Sequence, residues 1–330
     1  MQDIIAYFLI ALVKVLIVFT AMLLIVAYMT LMERKVLGHM QVRYGPNRVG
    51  PFGLFQPIAD GIKLFFKEDI IVPHANRVIY ILAPAVIVIT ALVSYAVIPF
   101  GDTITILGKS IDLVVADVNV GLLYLLAISS LGVYGVVMGV WASNNKYSLL
   151  GAIRSSAQMI SFELSLGLSI VGVLIITGSL SLMKIVEAQS PVWFIVYQPL
   201  GFIIYLISAV AECSRTPFDL TECENELVAG YQTEYSSMKF GLYYLAEYAH
   251  ILVVSSLAVT LFFGGWHGPL LPPVIWFLIK IFIFIFFFIW IRATFPRFRY
   301  DQLMKFGWKV LFPLALLNIM LTAVGVILFA

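Results

Sequence analysis

Long apolar runs alternate along the chain with polar stretches that hold nearly all of the charged residues. Each run is about 20 residues long, the length that a helix needs to cross a hydrocarbon core of about 30 Å. We therefore predict an all-α integral membrane protein with about eight transmembrane helices in a single membrane domain. The predicted spans are residues 4–29, 78–99, 120–142, 158–177, 192–210, 240–263, 273–291 and 310–329 of the 330 residues.

A further helical pattern, at Pro57–Glu68, is too short to span a membrane. At 100° per residue its apolar positions, including Ile58 and Ile62, share one side, while Asp60 and Lys63 share another. We predict an amphipathic helix that lies in the membrane interface with its apolar face toward the hydrocarbon. The alternative is that the same face packs on a soluble partner.

Basic residues fall very unevenly between the predicted connections. Of 20 lysines and arginines, sixteen lie in the connections 30–77, 143–157, 211–239 and 292–309. The other connections hold only Lys109 and Lys184. Cytoplasmic loops of membrane proteins carry this kind of excess of positive charge. We therefore predict that these four connections are cytoplasmic loops and that both termini are external.

The composition agrees with a membrane protein, because 62% of the residues are hydrophobic and only 12% are charged. Soluble domains carry about 25% charged residues. The net charge of +2 gives no indication of nucleic-acid binding. Two cysteines, Cys213 and Cys223, are too few for a disulfide framework, and the four histidines show no ligand spacing. We expect no metal site, and no cofactor or redox centre bound by this chain alone.

The connection at residues 211–239 is unusually acidic, with six carboxylates between residues 212 and 234 and one arginine, Arg215. The carboxylates are Glu212, Asp219, Glu222, Glu224, Glu226 and Glu234. Like charges held close together favour the binding of protons, and such carboxylates can relay protons. An ordinary solvated acidic surface is the alternative, which is weakened by the apolar residues in the same segment and by the spans on either side.

The beginning of this acidic segment is typical of a helix N-terminus, since Thr216 is followed by a proline and then, two residues later, by an aspartate. A helix from this point would place Asp219, Glu222 and Glu226 on one narrow face and Glu224 on the other side. The alternating glutamates are equally consistent with an extended segment.

Two further carboxylates, Glu163 and Glu247, lie inside predicted spans. A charge at the bilayer centre costs at least about 2.5–3.5 kcal/mol, so an ionisable residue there indicates a function. We predict that both carry protons, with an interfacial position as the alternative for Glu163, which lies near the start of its span. Lys14 and Lys280 are also inside spans. For Lys14 a subunit interface, an interfacial position and a proton role remain open, and we assign Lys280 no role.

Four segments carry a resemblance to a known family: ERKVLGHMQVRYGPNRVGPFGLFQPIADGIKLFFKE (Glu33–Glu68), WASNNKYSLLGAIRSSAQMISFE (Trp141–Glu163), AECSRTPFDLTECENELVAGYQTEY (Ala211–Tyr235) and IRATFPRFRYDQLM (Ile291–Met304). In this order they resemble the subunit 1 family of respiratory complex I, called NuoH in bacteria. The resemblance covers nearly all of the predicted cytoplasmic loops and extends through the whole chain. It is therefore far more specific than a short motif.

The resemblance implies a subunit of a proton-pumping NADH:quinone oxidoreductase in the cytoplasmic (inner) membrane of a bacterium. Quinone would be the substrate of the complex, and the acidic loop would link its reduction to proton translocation. The implied partners are lipids, hydrophilic quinone-reducing subunits on the cytoplasmic side, neighbouring small membrane subunits and antiporter-like subunits. The alternatives are the equivalent subunit of a membrane-bound hydrogenase or ferredoxin-linked complex and, in a different class, a stand-alone secondary transporter. A transporter predicts an internal repeat, which this sequence does not show.

The resemblance also implies roles for individual residues. Residues of the quinone chamber would be Glu33, Arg34, Asp60, Arg292 and Arg297. Residues of the proton path would be Glu163, Glu212, Asp219, Glu222, Glu224, Glu226 and Glu247, and their basic partners would be Arg154 and Arg215. The position of Arg34 and Arg292 at span ends independently suits them to contact a polar head group with an apolar tail.

Overall fold

The computed structural model describes residues 2–106, 109–219 and 230–329, which are predominantly α-helical. The long helices are α1 (Gln2–Met40), α3 (Arg77–Ser94), α4 (Gly121–Ser143), α5 (Lys146–Thr177), α9 (Ser237–Phe262), α10 (Pro273–Thr294) and α12 (Phe312–Phe329). The shorter helices are α2 (Gln56–Phe66), α6 (Leu182–Glu187), α7 (Phe194–Tyr197), α8 (Pro199–Glu212) and α11 (Tyr300–Phe306). The helix N-terminus predicted at Thr216 is wrong, because the described residues 216–219 form a turn and are not helical. Glu222, Glu224 and Glu226 lie outside the described residues, so their arrangement stays a prediction.

Seven helices of the described part of the chain are long and apolar enough to cross a membrane. This confirms the predicted class, an all-α integral membrane protein. The fifth predicted span, residues 192–210, is not one continuous helix but is divided between α7 and α8. Helix α8 has 14 residues and is therefore about 21 Å long, short of the hydrocarbon thickness.

The break between α7 and α8 has a local cause at Gln198, whose φ of −127° and ψ of 50° are not helical. Pro199 follows and has no N–H group to continue the helical hydrogen bonds. The Gln198 side chain donates to the Thr322 hydroxyl (2.6 Å) and accepts from the Asn318 amide (2.9 Å). The break is thus joined to α12 by a buried polar network, which hydropathy could not reveal.

Several helices extend beyond the apolar runs that predicted them. Helix α1 continues to Met40, well past residue 29, and α5 already begins at Lys146. The Asn145 side chain caps α5 by accepting a hydrogen bond from the Tyr147 amide (2.8 Å), so much of the predicted loop 143–157 is helical. A π-helical turn at Gly307–Leu311 joins α11 to α12. Hydropathy marks the part of a helix that lies in lipid, whereas capping decides where the helix ends.

Two smaller elements lie between the long helices. Helix α2 coincides with the predicted amphipathic helix, and its apolar Ile58 and Ile62 are more than half exposed. An unburied apolar face suits an interfacial helix, and its place in the membrane stays a prediction. The strands β1 (Thr103–Ile106) and β2 (Lys109–Asp112) form an antiparallel hairpin that the hydropathy pattern did not predict.

Helix α9 lies at the centre of the molecule. In its most apolar stretch 83% of the residues are buried within the protein. The corresponding share is 11% for α1 and 22% for the segment Tyr300–Leu328, which contains most of α12. Small residues on α4 allow close packing beside α9: a Cβ at Gly139 would clash with the Tyr243 hydroxyl and lie 2.8 Å from the Tyr235 hydroxyl. Charged residues on α9 are therefore in the interior rather than facing lipid.

Candidate functional site

A buried group of charged side chains meets at Arg215, just after the end of α8. The Arg215 side chain is 6% exposed and forms ion pairs with Glu247 of α9 (Nε–Oε1, 2.8 Å) and Glu33 of α1 (Nη1–Oε1, 3.2 Å). Its guanidinium also lies over the Tyr248 ring, 4.6 Å from the ring centroid. One arginine therefore joins two predicted site carboxylates that are more than 200 residues apart in sequence.

Glu33 is held from three sides in the same place. Besides Arg215, it pairs with Arg292 from the last turn of α10, and its Oε2 accepts a hydrogen bond from the Tyr248 hydroxyl (2.6 Å). The two carboxylates Glu33 and Glu247 are balanced by the two guanidiniums Arg215 and Arg292. We call these four residues the ion-pair cluster. Its formal charge balance is what makes burial of four charges tolerable.

Electrostatics within this cluster keep Arg215 cationic. Burial disfavours the charged form of the guanidinium, but the carboxylates of Glu247 and Glu33 outweigh burial, so the pKa of Arg215 lies well above its ordinary value. The stability that this shift contributes is present at every pH below the ordinary arginine pKa. Arg215 is therefore a fixed counter-charge, and proton exchange in the cluster must involve the carboxylates.

A cavity of about 370 Å³ lies beside the cluster, between α1, α2 and α9. Its walls are mainly apolar, but Arg34 and Asp60 line one side and Tyr248 another. Arg34 and Asp60 form an ion pair (2.6 Å) that joins the C-terminal part of α1 to α2. Because Tyr248 also binds Glu33, one residue separates the cavity from the ion-pair cluster. A mainly apolar cleft with a few polar groups is the usual form of a small-molecule site.

A second group of titratable side chains lies deeper, around a cavity of about 70 Å³. Glu212 at the end of α8 and His250 of α9 approach each other, with 3.3 Å between Glu212 Oε1 and His250 Nε2. Glu163 of α5 does not line this cavity but accepts a hydrogen bond from the Ser130 hydroxyl nearby. Glu247 lines this cavity as well as belonging to the ion-pair cluster, so the two groups are contiguous.

The described start of the acidic segment is fixed against α5 and the 295–299 segment. Gln158 donates to the carbonyl oxygens of Ala211 and Phe218, at 2.8 Å each. Asp219 pairs with Arg297 (3.0 Å). These contacts exclude a freely solvated loop for residues 211–219.

The structure therefore brings the predicted residues together in several groups. Arg34 and Asp60 line the cavity, Glu33 and Arg292 belong to the adjacent cluster, and Arg297 lies with Asp219 instead. Arg154, predicted as a partner of the acidic residues, lies over the Tyr300 ring (5.8 Å).

Sequence reasoning missed Tyr248 and His250. For His250 the available signal was its spacing of three residues from Glu247, since a residue three positions along a helix lies on nearly the same face. Tyr248, the next residue after Glu247, gave no such signal.

These features define a class: an integral membrane protein of many helices, with a charge-balanced cluster and buried carboxylates beside an apolar cavity. The model of the NADH dehydrogenase family matches residues 13–323. A protein of Syntrophobacter fumaroxidans that is named as a subunit of NADH-quinone oxidoreductase is 58% identical over 322 residues, covering 98% of this chain and 97% of the relative. Its namesake from Geobacter sulfurreducens is 58% identical over 309 residues, 94% of each chain. The corresponding NADH-quinone oxidoreductase subunit from Thermomicrobium roseum is 57% identical over 308 residues, 90% of each. The chain belongs to the NADH dehydrogenase family.

Proposed function

We propose that this chain is the membrane subunit of a proton-pumping NADH:quinone oxidoreductase that forms much of the quinone-access chamber and couples quinone reduction to proton translocation. It acts as one subunit of the enzyme and carries no redox centre of its own. The support is the family membership and the names of relatives that match over nearly the full length. Those names favour the quinone-linked complex over the hydrogenase alternative.

The observation that carries the proposal is the direct connection from the cavity to the buried charges. Tyr248 lines the cavity and donates to Glu33, which pairs with Arg215 and Arg292. A quinone has a polar ring and an apolar tail, which suit a mainly apolar cleft with an ion pair at one side. Reduction of a quinone to a quinol takes up two electrons and two protons. A change of charge in this cleft therefore acts on an ion-pair cluster that only the Tyr248 side chain separates from it.

The function of the cavity can be tested at Arg34. Arg34→Ala removes one of the two cations that line the cavity, the one paired with Asp60, so we expect quinone reduction by the intact complex to fall at least fivefold. NADH oxidation by ferricyanide, a hydrophilic acceptor, should persist because electron entry does not involve this chain. Arg299→Ala is a matched control, since the Arg299 side chain is 80% exposed and does not line this cavity. If Arg34→Ala lowers both activities together with the amount of assembled complex, Arg34 is a structural residue and its role in the chamber is rejected.

We propose a bacterial inner-membrane location with both termini external, supported by the distribution of basic residues. The hydrophilic quinone-reducing subunits would then dock on the loop side that holds α2. Lipids, small membrane subunits and antiporter-like subunits would contact the flanks, which is consistent with the low burial of α1 and of the last helix.

Orientation can be tested with two single cysteines at exposed positions in a Cys223→Ser background. Ala188→Cys should react with a membrane-impermeant maleimide added outside intact cells, because it follows α6 on the proposed external side. Lys146→Cys, at the first residue of α5, should react only after the cells are opened. The opposite labelling pattern would reverse the proposed orientation.

A further inference from the structure

His250 of α9 lies beside the buried carboxylate of Glu212, and a second, partly buried carboxylate, Glu163, is close enough to act on the same ring. Its Nε2 is 3.3 Å from Glu212 Oε1. Glu163, on α5, also interacts electrostatically with the same ring. The His250 and Glu212 side chains are 19% and 8% exposed, so bulk water has little access to either side chain. Helix α8 packs against both α9 and α5, and this arrangement brings an imidazole near carboxylates that are 38 to 87 residues away in sequence.

Space for water lies beside this ring. The cavity of about 70 Å³ has hydroxyl groups in its wall, among them Ser94, Ser129 and Ser155, and both Glu212 and His250 line it. A water molecule needs about 10–15 Å³ measured in this way and two or more polar partners. Several water molecules therefore fit next to the imidazole. Glu212 Oε2 is buried without a hydrogen-bond partner among the described residues, which gives such a water an acceptor.

We infer that His250 carries protons between Glu212 and Glu163 during the coupled reaction, an inference that rests on the proposed function. In the first step the Glu212 carboxylic acid gives its proton to Nε2, leaving a carboxylate and an imidazolium. In the second step the imidazolium releases a proton from Nδ1 to the Glu163 carboxylate. Neutral imidazole and a protonated Glu163 remain, so each step moves one proton and conserves charge. A tautomer change of the ring then readies Nε2 for the next proton.

The other titratable groups that line this cavity are less suited than His250 to exchange protons near neutral pH. Among the described residues, the other titratable side chains around the ring are Cys213, Tyr231, Tyr243 and Glu247. Glu247 is held by Arg215, and burial raises the pKa of the Cys213 thiol well above its ordinary value, so that the thiol keeps its proton. Phenols ordinarily release protons only near pH 10, whereas an imidazole exchanges them near neutrality. His250 is therefore the group in this space that both accepts and returns a proton at working pH.

Two substitutions in the intact complex separate proton transfer from hydrogen bonding. His250→Asn keeps an N–H donor for Glu212 but cannot accept a proton at these pH values, and His250→Ala removes both properties. We expect each variant to lower quinone reduction and proton transport in sealed vesicles at least tenfold, with the complex assembled and ferricyanide reduction unchanged. His267→Asn is the matched control, because His267 lies beyond the far end of α9 and should retain full coupled activity.

The outcomes are distinct. Full coupled activity in His250→Asn would overturn the inference, because this variant cannot accept a proton. If activity is then lost only in His250→Ala, the role of His250 is hydrogen bonding alone. Loss of assembled complex in both variants would assign it a structural role and overturn it equally. Glu212→Gln and Glu163→Gln, measured beside them, separate the inference from the proposed function. Coupled activity lost in these but kept in His250→Asn rejects His250 alone, whereas activity kept in all of them rejects the proton path itself.

Discussion

Replacing Arg215 by glutamine removes one positive charge from the ion-pair cluster and leaves Glu247 without its closest counter-charge. At 2.8 Å and an effective dielectric constant of about 20, the lost attraction is about 6 kcal/mol. The actual loss is smaller because Glu247 can take up a proton instead of staying charged. From an ordinary glutamate pKa of about 4.3, that uptake costs about 3.7 kcal/mol at pH 7. Glu33 keeps Arg292 and Tyr248, so we expect Arg215→Gln to destabilise the subunit by about 3–4 kcal/mol.

The size of the loss should depend on pH in a definite direction. The folded variant binds one proton more than the folded wild type, at Glu247. Its loss of stability relative to the wild type therefore becomes smaller by about 1.4 kcal/mol for each pH unit that the pH falls. The deficit is therefore largest at pH 8 and smallest toward pH 5. Denaturation midpoints of the purified complex in detergent, followed by tryptophan fluorescence at several pH values, measure this trend.

Two further variants make the reasoning refutable. Arg299→Gln removes an arginine that is 80% exposed and should change stability by no more than about 0.5 kcal/mol. The double variant Arg215→Gln with Glu247→Gln removes both charges of one pair, so most of the lost stability should return. A deficit that does not change with pH, or that is undiminished in the double variant, would show that Arg215 acts through packing on Tyr248 rather than through its charge.

Two more predictions concern packing and reactivity. Gly139→Ala should destabilise the protein by about 1–3 kcal/mol, because the new methyl group clashes with the hydroxyls of Tyr243 and Tyr235. Gly167→Ala is the control: its Cβ would lie in open space, so the same unfolding measurement should find it neutral or stabilising. Burial raises the pKa of the Cys213 thiol, so N-ethylmaleimide at pH 7 should leave this thiol unmodified in the native complex and modify it only after denaturation. Peptide mass spectrometry measures the modification, and alkylation in the native state would contradict the burial of Cys213.

The sequence predicted those parts of the fold that depend on local pattern. Apolar runs of spanning length located the long helices, and the two faces of α2 followed from its periodicity. Charge at an unexpected depth singled out Glu163 and Glu247, since that reasoning needs only the cost of burying a charge. The same reasoning selected Arg34 and Arg292 at span ends but could not pair either with a particular carboxylate.

What the sequence could not predict depends on contacts between distant segments. Lys280 was assigned no role, yet its ammonium donates to the carbonyl oxygens of Phe263, Gly265 and His267, at 2.6, 2.9 and 2.7 Å. It thereby caps the chain just after α9 with a positive charge. Gln198 looked like one polar residue in an apolar run, and only its partners on α12 explain the break in the helix there. Polar residues inside a span cannot be interpreted by hydropathy alone, because their partners decide whether they are structural or functional.

The arrangement of the buried charges has a mechanical consequence for the proposed coupling. Glu33 binds groups from the segment after α8, from α9 and from α10 through Arg215, Tyr248 and Arg292. A proton added to Glu33 would cancel the charge that holds both guanidiniums and leave the cluster with an excess positive charge. Arg215 would then keep only Glu247 as a charged partner, and Glu247 also lines the cavity shared by Glu212 and His250. We therefore expect a change of protonation at Glu33 to act on Glu247 and its neighbours through one shared arginine, without any need for Arg215 itself to lose a proton.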